Sequence, residues 1–337
     1  MDRLSDYDYN LPEERIAQTP LADRADSKLL LLDKSSGEIQ DRVFRDVVDI
    51  LRPDDLLVWN DTRVTALRLF GNKPTGAVVE ALLLSQSAPR VFQALVKPGK
   101  RLKPGVRIEF AGGLKATVGR ELEEPVKELI FDESPDFDHQ LRTLGRVPLP
   151  PYIHTNLQDP ERYQTVYSVT GGSAAAPTAG LHFTSDVIAK LTEKGVGIAK
   201  VSLDVSLDTF RPVTVDALDD HKMHGELCRV PIETADAVSR CSGRIIAVGT
   251  TTARTLESFA TGMRKVGAGE KSTSIFIRPG YEWQIIDGMF TNFHMPRTTM
   301  LMMISAMAGR PNIMRAYSHA LEHNYRFLSF GDSMLIL

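Results

Sequence analysis

Three kinds of apolar pattern follow one another along this chain. Leu29 to Asp33 and Leu56 to Trp59 are short apolar runs that predict buried strands. Between them, Phe44 to Leu51 carries apolar residues at helical spacing, and Arg52-Pro53 stops it. From about Ala66 to Leu149 the runs shorten and Gly and Pro separate them, as in Val78 to Leu84, Val91 to Val96, Val106 to Phe110 and Leu129 to Phe131. That pattern predicts an all-β module, a small barrel or sandwich. Val147-Pro-Leu-Pro-Pro151 then reads as a stiff, extended exit. Beyond it the chain turns mixed α/β. Ser185 to Lys194 is a capped amphipathic helix, with Asp186 near its start and Gly195 past its end. Strands are expected at Gly197 to Leu203, Arg244 to Val248 and Ser333 to Leu337, and helices at Met300 to Met307 and Tyr317 to Tyr325. The fold class is therefore α/β, with a separate β module.

The 337 residues are 42% hydrophobic and 25% charged, ordinary for a folded chain of one large or two smaller domains. Cys228 and Cys241 cannot build a disulfide framework or a four-thiolate metal site. The charged N-terminus lacks a signal-peptide core, and the Met300 to Ala308 stretch is far too short to span a bilayer. A cytoplasmic protein without a membrane partner is expected. The net charge of −3 is unevenly spread. Arg63 to Lys115 holds ten Lys or Arg against Glu80 and Glu109, a balance of +8, and Glu121 to Asp138 follows with eight acids against Lys127. On charge alone the plainer reading is two solvated faces that neutralise each other. The other is a phosphate-binding surface around Lys97, Lys100, Arg101 and Lys103.

Candidate chemistry lies in turns, where a scaffold displays reactive groups. His182 follows Pro177-Thr178-Ala-Gly180-Leu, His221 and His224 stand three apart near Glu226, and His294 follows Thr291-Asn292-Phe. Imidazoles suit acid–base or hydrogen-bonding work near neutrality. His221, His224 and Glu226 on a helix would also suit a metal, but nothing further completes that ligand set, and no metal is expected. Gly249-Thr250-Thr251-Thr252 opens a helix after a buried strand and offers N–H groups and hydroxyls to a polar ligand. Trp59-Asn60-Asp61-Thr62-Arg63 is a polar strand end, able to bind a sugar or base or simply to make an Asx turn. No nucleophilic serine elbow or Cys–His signature is present.

Longer blocks resemble a known family. They are Tyr7 to Arg24, Asp54 to Arg63, Pro148 to Ile153, Arg162 to Tyr167, Ala175 to Phe183 and Thr209 to Val213. They continue in order with His221-Lys-Met-His224 and Glu226, Ile246 to Thr251 with Arg254 to Ser258, and Ile275 to Tyr281. Asp287-Gly288, Thr291 to His294, and Tyr325-Arg-Phe with Gly331-Asp332 complete the set. Together they resemble the S-adenosylmethionine:tRNA ribosyltransferase-isomerases of queuosine biosynthesis, over nearly the whole chain.

That resemblance implies transfer and isomerisation of the ribosyl group of S-adenosylmethionine onto 7-aminomethyl-7-deazaguanine in the tRNA anticodon region, with loss of adenine and methionine. No cofactor is implied; S-adenosylmethionine is a co-substrate, and a monomer is favoured. The amine nucleophile belongs to the RNA, which accounts for the missing protein nucleophile. The resemblance makes residues 63–149 an inserted β domain, so that residues 1–62 and 150–337 form one mixed α/β catalytic domain. It points to His182, His221, His224 and His294 for acid–base work. Asn60, Asp61, Arg63, Thr178, Gly180, Thr250, Thr251, Arg254 and Asn292 would bind S-adenosylmethionine or the base, and Lys97, Lys100, Arg101 and Lys103 the RNA. The chain departs from the family pattern at Asp204, Ser206 and Asp208, where His, Gly and Gly are expected, and at Gly225 and Thr252-Ala253. Two other readings are a non-catalytic tRNA-binding protein and a metal-dependent hydrolase using His221, His224 and Glu226.

Overall fold

The strands Leu56–Asn60, Ile245–Val248 and Gly288–Asn292 are buried at every residue, as expected for strands covered on both faces. A computed structural model, which describes residues 3–122, 125–205, 215, 217–218, 221, 223 and 225–337, places them side by side in a nine-stranded sheet. The sheet order is Gly269–Thr273, Glu226–Val230, Gly197–Leu203, Leu56–Asn60, Ile245–Val248, Gly288–Asn292, Ser333–Ile336, Lys28–Leu32 and Ile39–Val43. Gly197–Leu203, Leu56–Asn60, Ile245–Val248 and Gly288–Asn292 are mutually parallel, so their carboxyl ends lie together. The outer strands run mostly antiparallel to their inner neighbours.

One face of this sheet packs Leu57, Trp59, Ile246, Val248 and Phe290 against Phe44, Val47, Phe183, Val187 and Leu191. The last three residues come from the Ser185–Lys194 helix and its approach. Thr184 caps that helix by accepting the Val187 N–H (3.2 Å), and Gly195 ends it at φ 95°. Thr250–Ser258 packs on the Gly197–Leu203, Leu56–Asn60 and Ile245–Val248 strands. The late helix begins at Arg310, seven residues before the expected Tyr317, and runs to Glu322. Gly309 at φ 80° breaks it from Thr299–Ala308, and Pro311 sits in its first turn, where no amide partner is needed. No helix among the described residues is long and apolar enough to cross a membrane.

The chain divides into two compact units: Met1–Thr62, Pro151–Thr170 and Ala176–Leu337 form the first, and Arg63–Pro150 with Gly171–Ala175 the second. The second is a closed six-stranded antiparallel barrel, in the order Val126–Phe131, Val91–Lys97, Val78–Ala88, Leu67–Asn72, Arg107–Phe110 and Lys115–Glu121. Its interior is filled by residues such as Leu69, Ala81, Phe92, Phe110, Val118 and Phe131, with Phe137 and Leu141 of the Phe137–Leu144 helix packed against them. The basic stretch is partly neutralised. Arg68 pairs with Glu80 (3.1 Å), Arg90 with Glu133 (3.3 Å), Arg107 with Asp132 (2.5 Å) and Lys115 with Glu109 (3.5 Å). Lys97, Lys100, Arg101 and Lys103 are exposed and make no ion pair with a described carboxylate.

The amino ends of the parallel strands depend on Asp55. Its carboxylate accepts Arg244 Nε (2.9 Å) and Nη2 (2.5 Å) and the Arg52 and Arg244 amides, while its carbonyl accepts the Gly197 N–H (2.9 Å). Burial alone would raise this carboxyl group, but the bonds from Arg244 and Arg52 hold it below the usual range. Asp55→Asn should cost about 3 kcal/mol, because it leaves a half-buried guanidinium unpaired. The expected reading is a lower denaturant midpoint at unchanged m-value; a wild-type midpoint would show that the pair does not hold the register.

Candidate active site

Ligands of open α/β sheets bind beyond the carboxyl ends of the parallel strands. Here those ends carry Asn60, Leu203, Gly249 and Asn292. Gly249 has φ 92° and ψ 156°, a conformation open essentially to glycine alone, and its N–H donates to the Phe290 carbonyl (2.8 Å). That turn sends the chain directly into the Thr250–Ser258 helix, whose first residues face a cavity of about 410 Å³. The volume suits a small-molecule site. Thr178, Thr250, Thr251, Thr291, Asn292 and His294 supply its polar wall, and Val205, Met295, Pro296, Met300 and Leu328 its apolar wall. None of the described lining residues is acidic, lysine or arginine. Hydrogen bonds in such a low-dielectric wall are stronger than in water.

The polar wall is set by a chain of hydrogen bonds. Thr178 Oγ1 donates to Asn292 Oδ1 (2.9 Å), Asn292 Nδ2 donates to His182 Nε2 (3.2 Å), and His182 Nδ1 bonds Ser27 Oγ (2.8 Å). The Ser27 hydroxyl donates to the Arg24 carbonyl (3.1 Å). Ser27 must therefore accept from His182, which fixes the proton on Nδ1. His182 lies behind the wall and orients Asn292. Burial, with Arg326 and Arg24 adding repulsion, pushes its pKa down to about 3.

His294 does belong to the wall. Its Nε2 bonds Thr291 Oγ1 (2.6 Å), whose hydroxyl donates to the Asn292 carbonyl (3.2 Å), so Nε2 carries the proton and Nδ1 keeps its lone pair. The backbone is pinned as well, since the His294 N–H donates to Tyr317 Oη (2.9 Å) and its carbonyl accepts the Tyr9 hydroxyl. Burial lowers the imidazole to about 3. Both histidines are neutral near pH 7.

The remaining expected residues are dispersed. Thr178, Thr250, Thr251 and Asn292 meet at the cavity, whereas Thr252 turns back to the Val248 carbonyl (2.8 Å). Asn60 is fully buried and bonded to strand ends. Asp61 accepts the Ser202 hydroxyl (2.7 Å) and lies 3.5 Å from Lys200 Nζ. Arg63 is half-buried in the barrel unit. Gly180 makes room for Tyr167, because a Cβ there would stand 1.9 Å from its hydroxyl, and Tyr167 in turn stacks on Trp59 at 4.1 Å. Arg254 is buried in an ion pair with Glu226; its Nε and Nη2 have no hydrogen-bond partner among the described residues.

His221 has its ring edge-on to Phe276 at 5.3 Å and is not part of the cavity wall. His224, Ser206 and Asp208 lie outside the described residues. Asp204 is half-buried, and burial followed by repulsion from Glu270 raises its carboxyl pKa. Among the described residues His221 and Glu226 join no metal-binding group. Residues not singled out from sequence also matter here. Ser27 holds His182, and Tyr152 Oη bonds Ser329 Oγ (2.7 Å) on the cavity wall. The only sequence signal for Tyr152 is its place within the Pro148 to Ile153 block.

Residues 4–336 match the family described as queuosine biosynthesis protein. The chain is also similar to the crystal structure of S-adenosylmethionine tRNA ribosyltransferase from Thermotoga maritima. The two are 35% identical, with 99% of this chain and 100% of that one covered and a TM-score of 0.57.

The neutral histidines give a pH dependence of defined sign. An unfolded chain protonates His182 and His294 below about pH 6.5, and the folded protein does so only near 3. The unfolded state therefore binds more protons across that window, and stability falls as the pH drops through it, by up to about 1.4 kcal/mol per pH unit for each histidine. His182→Asn should flatten the fall in melting temperature between pH 7 and 5. An unchanged slope would mean that the folded protein already carries the proton.

Proposed function

This chain belongs to the queuosine biosynthesis protein family, and on that premise we propose that the cavity at the strand ends is where S-adenosylmethionine meets the tRNA base. The activity is that of an S-adenosylmethionine:tRNA ribosyltransferase-isomerase. The ribosyl group passes to 7-aminomethyl-7-deazaguanine in tRNA and is rearranged to epoxyqueuosine, while adenine and methionine leave. The observation that carries the assignment of the site is the uncharged, hydroxyl- and amide-lined wall around His294.

A sulfonium cation enters such a wall without meeting a like charge. Thr178 and Asn292, fixed by His182, are placed to orient sugar hydroxyls, and the N–H groups at Thr250 and Thr251 favour the methionyl carboxylate. Nδ1 of His294 is the free lone pair that can take the proton from the carbon next to sulfur. Its low basicity does not forbid this. In the empty cavity, protonation creates a charge, and burial opposes that. With substrate present, the proton passes from the carbon to Nδ1 and leaves a net-neutral sulfonium ylide, so the total charge in the cavity stays at one positive unit. The RNA amine then attacks, and no protein nucleophile is needed.

We infer further that the anticodon region is the part of the tRNA that enters, that Lys97, Lys100, Arg101 and Lys103 contact its phosphates, and that the protein works as a cytoplasmic monomer. The four side chains are exposed and unopposed by described carboxylates, which supports that role. The reading as a non-catalytic RNA binder is not favoured by the family, nor is that as a metal-dependent hydrolase.

Adenine release should require tRNA bearing 7-aminomethyl-7-deazaguanine, with ribose-derived mass retained on the RNA. His294→Asn should lower kcat by about 100-fold or more, with little change in KM for S-adenosylmethionine. Retention of wild-type kcat would remove His294 from the proton transfer.

A further inference from the structure

A nucleotide whose base enters the cavity brings its phosphates with it, yet the described wall contains no lysine or arginine. The cleft next to it is rich in cations. Arg24, Arg162 and Arg326 line a shallow depression together with Ser27, His182 and Ser329. Ser329 also lines the cavity, and His182 bonds Asn292 of its wall, so one layer of side chains separates the two.

The three guanidinium groups are held without direct carboxylate partners among the described residues. Arg24 donates to the carbonyls of Gln164 (2.8 Å) and Glu161 (3.0 Å). Arg162 reaches back to the carbonyls of Ala22 (3.3 Å) and Leu21. The two segments thus clasp each other through neutral acceptors and leave both charges in place. Among the described residues Arg326 makes one side-chain bond, to the Thr19 carbonyl (3.3 Å), and the buried Arg162 Nε has no hydrogen-bond partner. Asp159 and Glu161 lie within electrostatic range of Arg24, and Asp332 within range of Arg326. Among the described residues neither Asp159 nor Asp332 makes an ion pair with these arginines. Burial and the neighbouring Arg162 together lower Arg24, and Arg326 and Arg24 both disfavour a proton on His182. This is cationic strain of the kind that an anion relieves. Guanidinium forks suit a phosphate in particular, since they bind two of its oxygens at once.

We infer that the Arg24–Arg162–Arg326 cleft seats a backbone phosphate of the tRNA beside the nucleotide whose base enters the cavity. The inference rests on the tRNA reading above. It gives the catalytic unit its own contact with the RNA backbone, independent of the lysines of the barrel.

Arg326 is the group to change, because Arg24 and Arg162 each brace two backbone carbonyls and Arg326 only the Thr19 carbonyl among the described residues. For wild type, Arg326→Gln and Arg326→Lys, tRNA binding would be measured across a salt series, along with KM for tRNA, KM for S-adenosylmethionine and the melting temperature. Arg326→Gln should raise KM for tRNA about tenfold and make the slope of log K against log salt shallower by about 0.7 to 0.9, the value of one phosphate contact. KM for S-adenosylmethionine and the melting temperature should stay near wild type. Arg326→Lys should recover the salt slope, since the charge returns without the fork. A wild-type slope and KM for tRNA in Arg326→Gln would overturn the inference. So would a rise confined to KM for S-adenosylmethionine, which would give the cleft to the methionyl carboxylate. Failure of the wild-type protein to release adenine in the presence of modified tRNA would instead overturn the functional reading itself.

Discussion

One buried amide holds the carboxyl ends of the parallel strands in register. Asn60 has no solvent exposure, and its Oδ1 accepts the N–H groups of Leu203 and Thr62 (3.1 Å each), while Nδ2 donates to the Leu203 carbonyl (3.0 Å). The isosteric carboxylate could accept in its place but not donate. A second contact from Nδ2, at 3.5 Å, reaches Thr251 Oγ1 in the first turn of the Thr250–Ser258 helix. The ends of two strands and the start of a helix thus share a single planar group. The cavity can be lined with neutral groups because the backbone around it is already satisfied from within.

Much of this architecture was legible in the order of residues. The apolar runs at Leu56 to Trp59 and within Arg244 to Val248 belong to strands buried on both faces, and the run Val91 to Val96 belongs to a barrel wall whose residues alternate in burial though not in polarity. Gly249 announced a sharp turn before a helix, and Thr250 and Thr251 do face the cavity. The start of the last helix was hidden, because Gly309 and Pro311 look like a break and in fact open it. The charge pattern was legible only in part. Arg90 and Arg107 are matched by Glu133 and Asp132 on neighbouring barrel segments, while Lys97, Lys100, Arg101 and Lys103 pair with no described carboxylate, and no count of charges separates the two groups.

The histidines show why roles are harder to read than folds. His182 and His294 stand in similar turns, yet one is sealed behind the wall and the other is part of it. Which nitrogen holds the proton follows from Ser27 in one case and Thr291 in the other. Ser27 lies 155 residues from His182. No local pattern links them. A separation of 143 residues likewise conceals Asn60, whose sequence context suits a ligand contact equally well and whose amide is instead consumed by Leu203.

The pairing of Lys28–Leu32 with Ser333–Ile336 bears on how the chain is made. During synthesis the early strand waits for on the order of 300 residues before its parallel neighbour leaves the ribosome, and Leu56–Asn60 waits for both Gly197–Leu203 and Ile245–Val248. The barrel needs no such delay, since every strand pair that closes it lies within residues 67–131. Synthesis therefore presents a finished barrel on a nascent chain whose catalytic sheet is still open, with apolar strand edges exposed until translation nears residue 336. Slow codons or a chaperone would matter most in that interval.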